Sequence, residues 1–141
     1  MTTLHPQLQK DCLIIGRLTL CHVLLMNDAN YPWLILVPDR DNITEIYQLA
    51  EEDQAQLIHE SSLVAKMLSE HFNADKINIA ALGNVVPQLH IHHIARYRHD
   101  AAWPKPVWGQ VPSQPYNEEA RAEMLDKLHM ALKEGFEFSR G

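Results

Sequence analysis

The sequence predicts an α+β fold: an antiparallel sheet of about five strands with one long helix and a C-terminal helix. Three observations predict it. Short runs rich in Leu, Ile and Val, bounded by turn residues, fill residues 12–38. Apolar side chains then recur at helical spacing in two stretches, one central and one closing the chain. Between those stretches, short apolar segments show the period-two alternation of strands.

Taking the elements in order, Cys12–Ile15 and Leu18–Met26 read as strands, with Gly16-Arg17 as the break. Asn27-Asp28-Ala29-Asn30-Tyr31-Pro32 is a dense turn signal, because Asn and Asp bond their own backbone and Pro ends ladder pairing. Trp33–Val37 is then the return strand of a hairpin. Asn42 followed by Glu45 has the spacing of a capping-box variant and predicts a helix starting near Ile43. Leu57, Val64, Leu68 and Phe72 continue it at helical spacing, leaving Glu51, Glu52, Glu60 and Lys66 to face water. Ile77–Leu82 is a short apolar strand, Gly83-Asn84 a turn, and Val85–Ile94 alternates as a further strand. Ala101–Tyr116, with Pro104, Pro106, Pro112 and Pro115 around Trp103 and Trp108, cannot be regular structure. Leu125, Leu128, Leu132 and Phe136 form one face of a closing helix that ends near Gly135.

A chain of 141 residues fits one domain, taken here as residues 1–141, with a core that needs no disulfide or metal staple. Hydrophobic residues make up 46% and charged residues 21%, which excludes wholesale disorder. Twelve Lys+Arg against 18 Asp+Glu give −6, with no basic cluster, so a nucleic-acid backbone is not the expected partner. A single nucleotide remains compatible with that charge. No run approaches the ~20 apolar residues of a membrane span, and Met1–Lys10 is too polar for a secretory signal. Cys12 and Cys21 form no Cys-x-x-Cys and read as buried reduced thiols, which places the chain in the cytoplasm.

The informative stretch is Gln88-Leu89-His90-Ile91-His92-His93-Ile94. In a strand, Gln88, His90 and His92 share one face while Leu89, Ile91 and His93 share the other. The two imidazoles then stand about 7 Å apart along the strand. Histidine acts as nucleophile, base or acid near neutrality, so one ring attacking and its neighbour protonating would serve phosphoryl or nucleotidyl transfer. A satisfied structural pair is an equally ordinary reading of the spacing. A metal site is a third, and it would need another ligand, for which His99 and Asp100 are the nearby candidates.

The wider string resembles the histidine triad (HIT) family, whose signature alternates three histidines with apolar residues. Only the register Gln88, His90, His92 keeps Leu89 and Ile91 as the apolar spacers. The turn and strand of Asn27–Pro38, Asn78, Gly83-Asn84 and the Trp103–Gly109 string extend the likeness to a branch of small bacterial HIT proteins, here with Gln88 in place of the first histidine. The resemblance implies a homodimer that binds a nucleotide substrate, with no nucleic-acid or membrane partner and no cofactor. His90 would attack the α-phosphorus and form a nucleotidyl-histidine, and His92 would contact the phosphate and assist the leaving group. Asn27 or Asp28 would meet the ribose, Asn78, Asn84 and Gln88 would ring the phosphate, and Arg96 would reach a distal phosphate. The substrate would be a phosphoramidate or a dinucleoside polyphosphate, cleaved hydrolytically. A nucleotidyltransferase, a metal-dependent His-x-His enzyme and a non-catalytic nucleotide binder are the alternatives. Gln88 can hydrogen-bond but cannot carry a proton at neutral pH.

Overall fold

A computed structural model describes residues 1–133 and 138–140. Its elements are α1 (Pro6–Asp11), β1 (Cys12–Arg17), β2 (Cys21–Met26), β3 (Trp33–Pro38), α2 (Glu51–His71), β4 (Lys76–Ala80), β5 (Ile91–Arg96) and α3 (Glu118–Lys133). The strands form one five-stranded sheet in the order β1-β2-β3-β5-β4, every neighbouring pair antiparallel. No described helix is long and apolar enough to cross a membrane.

Strand alternation divides the sheet into two apolar faces. Val23, Leu25, Leu34, Leu36 and Ile91 pack with Leu57, Val64, Leu68, Leu128 and Leu132, so α2 and α3 cover one face. Leu24, Trp33, Ile35 and Ile94 pack instead with Leu4, Leu8, Ala102 and Val107, so α1 and the proline-rich stretch cover the other. β5 lies between β3 and β4 with all six residues buried. Its position brings His92, next to His90 just before the strand, to the second face and His93 to the α2 face, where His93 Nε2 lies 2.7 Å from Ser61 Oγ.

Several expectations give way. α1 has no counterpart in the sequence reading, although Pro6 in its first turn and the His5 imidazole accepting from Gln7 N–H are its start signals. Gly16-Arg17 does not break the first strand. β1 runs to Arg17 with a register shift between Ile14 and Gly16, and the chain turns afterwards. Gly16 sits where any Cβ would run into the Phe138 ring and the Ser139 carbonyl. The Asn42/Glu45 spacing does not start the long helix: Glu45 and Gln48 close a capping box on a single 3-10 turn, Ile46–Gln48, and α2 begins at Glu51. Glu60 does not face water. It is buried, and its carboxylate accepts the backbone N–H groups of Leu20 and Cys21 at 2.8 and 3.0 Å. Phe136 and Gly135 lie outside the described residues.

The strand expected over Val85–Ile94 starts only at Ile91. Pro87 has no N–H to donate, and Leu89 N–H donates to the Ile43 carbonyl rather than to a ladder. Residues 85–90 are therefore an irregular lead-in held by the loop before α2, and this shapes the site.

Candidate active site

The site begins with the two histidines, both buried beside a cavity of about 690 Å³. Its walls come from α1 (Gln7, Leu8, Lys10, Asp11), the end of β2 (Met26) and the following turn (Asn27, Asp28), Trp33, the loop 82–86, His90, His92, Trp108, Ser113 and Pro115. That volume lies in the range of small-molecule pockets, roughly 300–1,000 Å³.

Hydrogen bonds assign a different tautomer to each ring. His90 Nδ1 lies 2.7 Å from the Gln88 carbonyl oxygen. A carbonyl only accepts, so Nδ1 carries the proton and Nε2 of the neutral ring keeps its lone pair. His92 Nδ1 instead accepts the indole N–H of Trp33 at 3.0 Å, so the neutral ring carries its proton on Nε2. The ring centroids are 4.9 Å apart. A nucleophilic nitrogen and a hydrogen-bond donor thus stand side by side. Burial pushes His92 down to about 3, helped by the neighbouring His90 and His93, so it is uncharged at neutral pH. Trp33 and Trp108 enclose it edge-on, with centroids 5.6 and 5.0 Å from the imidazole.

β3 and β5 set this geometry by register. Trp33 pairs with Ile94 and Ile35 with His92, so Trp33 is the diagonal neighbour of His92 on the same face. An indole is long enough to bridge that diagonal.

The structure brings His90, His92, Asn27, Asp28 and Asn84 to one cavity. Asn27 Oδ1 accepts from Tyr116 N–H, and Asp28 Oδ1 accepts from Asn30 and Gln114 N–H, which pins this turn to the proline-rich stretch. Gln88 lies elsewhere, because position 88 precedes the strand and the alternation does not reach it. Its amide accepts from His5 N–H at 2.8 Å and donates to the Thr3 carbonyl at 3.1 Å. It lines a smaller hollow of about 320 Å³ that also touches His90, Leu82 and Gly83.

Arg96 and Asn78 also stand apart from the cavity. Arg96 is 1% exposed and donates to both Asp100 oxygens, to Asn78 Oδ1 and to the Lys105 carbonyl. The Tyr31 and Trp103 rings flank its guanidinium. So engaged, Arg96 ties the loop after β5 to the back of the site. Burial alone would raise the Asp100 carboxyl, but Arg96 and the N–H groups of Tyr97, Ala102 and Trp103 outweigh it and hold it well below the usual range. Asp100 is therefore committed to this loop, and no group of three His, Cys, Asp or Glu among the described residues is placed to hold a metal ion.

Sequence reasoning did not find the α1 wall or the part played by Trp33. The α1 signal was present in Pro6, but six residues make too short a period to read. Trp33 read simply as strand core, since its bond to His92 depends on pairing between distant segments.

The HIT domain model matches residues 7–99. A histidine triad protein from Marinobacter aquaeolei VT8 is 51% identical, with 95% of this chain and 98% of that chain covered and a TM-score of 0.92. Histidine triad proteins from Bradyrhizobium japonicum and Sinorhizobium meliloti 1021 are 48% and 47% identical, each with 92% of this chain and 96% of that chain covered and a TM-score of 0.89. No functionally curated protein matches. With its sheet, its paired histidines and these likenesses, the chain belongs to the HIT domain family.

Proposed function

We propose that this protein binds a nucleotide and cleaves a nucleotidyl substrate, a phosphoramidate or a dinucleoside polyphosphate, at the α-phosphorus through His90. The observation that carries the reading is the 2.7 Å contact from His90 Nδ1 to the Gln88 carbonyl, which leaves Nε2 as a lone-pair nucleophile. In the first step Nε2 forms a bond to phosphorus and the bond to the leaving group breaks, its electron pair going with that group, which takes up a proton from solvent water as it departs. In the second, water attacks phosphorus and gives up a proton to solvent, the P–N bond breaks with its electron pair returning to Nε2, and the nucleoside monophosphate leaves with His90 restored. His92, neutral and protonated at Nε2, donates a hydrogen bond to the phosphoryl oxygen where negative charge gathers. An uncharged ring so buried is a poor proton source, so this role replaces proton donation to the leaving group. Asp28 keeps its second oxygen to accept from a ribose hydroxyl, beside Asn27. Asn84 serves the phosphate, while Gln88, Asn78 and Arg96 are left out of direct contact. On this reading the chain is one domain that acts as a homodimer, and the outer edge of β4, with Ile79 exposed, is the surface that suits the pairing.

The test is incubation with adenosine 5′-phosphoramidate and, separately, a dinucleoside polyphosphate. Monophosphate release and a nucleotidyl adduct on the intact protein by mass spectrometry are expected. His90→Ala removes both. Full turnover in His90→Ala would refute the assignment.

A further inference from the structure

Gln88 occupies the first position of the triad register, yet its side chain turns away from the cavity and engages the N-terminus. We infer that Gln88 is a positioning residue: its amide latches the N-terminal segment so that α1 stands as a wall of the nucleotide cavity. The inference rests on the proposed function for what the cavity holds, but not for the latch.

The bonds have a specific form. Gln88 Oε1 accepts from His5 N–H at 2.8 Å, and Gln88 Nε2 donates to the Thr3 carbonyl at 3.1 Å. Those two groups flank Leu4, so the side-chain amide pairs with the segment much as a neighbouring strand's backbone would. A planar amide offers acceptor and donor side by side. An imidazole cannot do this, because its two nitrogens diverge across the ring. The segment it holds leads directly into α1. Leu4 and Leu8 are buried in the core under the cavity, His5 accepts from Gln7 N–H, and Gln7, Leu8, Lys10 and Asp11 line the cavity. A six-residue helix is too short to stand by itself, so its position depends on such anchors.

The same residue serves the nucleophile by a separate route, its backbone carbonyl orienting His90. That carbonyl does not depend on the side chain, since Leu89 N–H donating to the Ile43 carbonyl at 2.9 Å holds the local backbone. Removing the amide should therefore loosen the wall and spare the attack.

The experiment measures backbone hydrogen exchange and nucleotidyl transfer in Gln88→Ala and Gln88→Glu; the glutamate still accepts from His5 but cannot donate to Thr3. Exchange at His5 and along α1 should rise about tenfold in Gln88→Ala, the population shift expected from losing one or two hydrogen bonds, and less in Gln88→Glu. KM for the phosphoramidate should rise about tenfold, with kcat altered less than about threefold. His5→Pro, whose φ of −54° already suits proline, removes the same N–H from the other side. With His5→Ala as control for the lost cap, its effect on exchange should not add to that of Gln88→Ala. Unchanged exchange at His5 and α1 in Gln88→Ala overturns the latch. So does a fall confined to kcat, which would put Gln88 at the phosphorus. If the parent protein binds no nucleotide, the functional reading fails, and the exchange data still decide the latch.

Discussion

His92 receives the indole N–H of Trp33 at 3.0 Å, and this single bond decides which of its nitrogens carries the proton. Trp33→Phe keeps an aromatic ring but leaves His92 Nδ1 without that donor. The expected results are a mixture of tautomers for His92, read from its ring ¹⁵N shifts, and a loss of about 1–2 kcal/mol in urea unfolding. A slower release of monophosphate should accompany them. Retention of a single Nε2–H tautomer in Trp33→Phe would show that something other than the indole selects it. Neither histidine's tautomer can be read in the sequence. Their apolar spacers Leu89 and Ile91 announce the pair, but the partner of each ring is a backbone carbonyl or a residue 59 positions away.

At the scale of elements, Glu60 shows how a helix holds a sheet. It sits on the core face of α2 and accepts from Leu20 and Cys21 N–H, where the chain turns from β1 into β2. Those donors have no ladder partner, and burying them unpaired is costly. Glu60→Ala should therefore cost about 2–6 kcal/mol, one to three per orphaned donor, measured by denaturant unfolding. A loss within error would mean that water or a shifted turn replaces the carboxylate. The helical period of Leu57, Val64 and Leu68 was legible because burial on one face repeats along the sequence. The exception at Glu60 was not, since a buried acid and a solvated one look alike without the turn that it bonds. The lead-in to β5 failed for a similar reason. Alternation extends through Val85–His90, but Pro87 and the loop at Ile43 take that backbone out of the ladder.

For the whole molecule, burial of two histidines in adjacent sheet positions makes stability depend on pH. Burial lowers His92 to about 3 and His93 to about 4, against about 6.5 for the unfolded chain. Below pH 6.5 the unfolded chain takes up protons that the native protein does not, so stability falls as pH falls, until the folded values are reached. Each such proton contributes a slope of up to about 1.4 kcal/mol per pH unit. Asp39 adds to the decline at lower pH: burial favours its neutral form, but Thr2 N–H and Arg17 prevail and hold the carboxyl at about 2. Unfolding free energy measured from pH 7 to 4 should therefore drop steeply, and His93→Gln should reduce the slope by up to one proton. An unchanged slope in that variant would mean that His93 titrates normally in the native protein.

By itself the sequence determined the α+β class, the hairpin around Asn27–Pro32, the long central helix and the closing helix, and the His90-x-His92 pair. Each of these rests on local periodicity or turn chemistry, which a linear chain displays. Only the tertiary structure decided that Gln88 turns toward Thr3 and His5, that Arg96 is enclosed by Asp100, Asn78 and two aromatic rings, and that α1 walls the cavity. It alone paired Trp33 with His92. Those outcomes come from contacts between segments far apart in sequence, where burial and hydrogen-bond satisfaction select one partner among many, and no spacing along the chain encodes that choice.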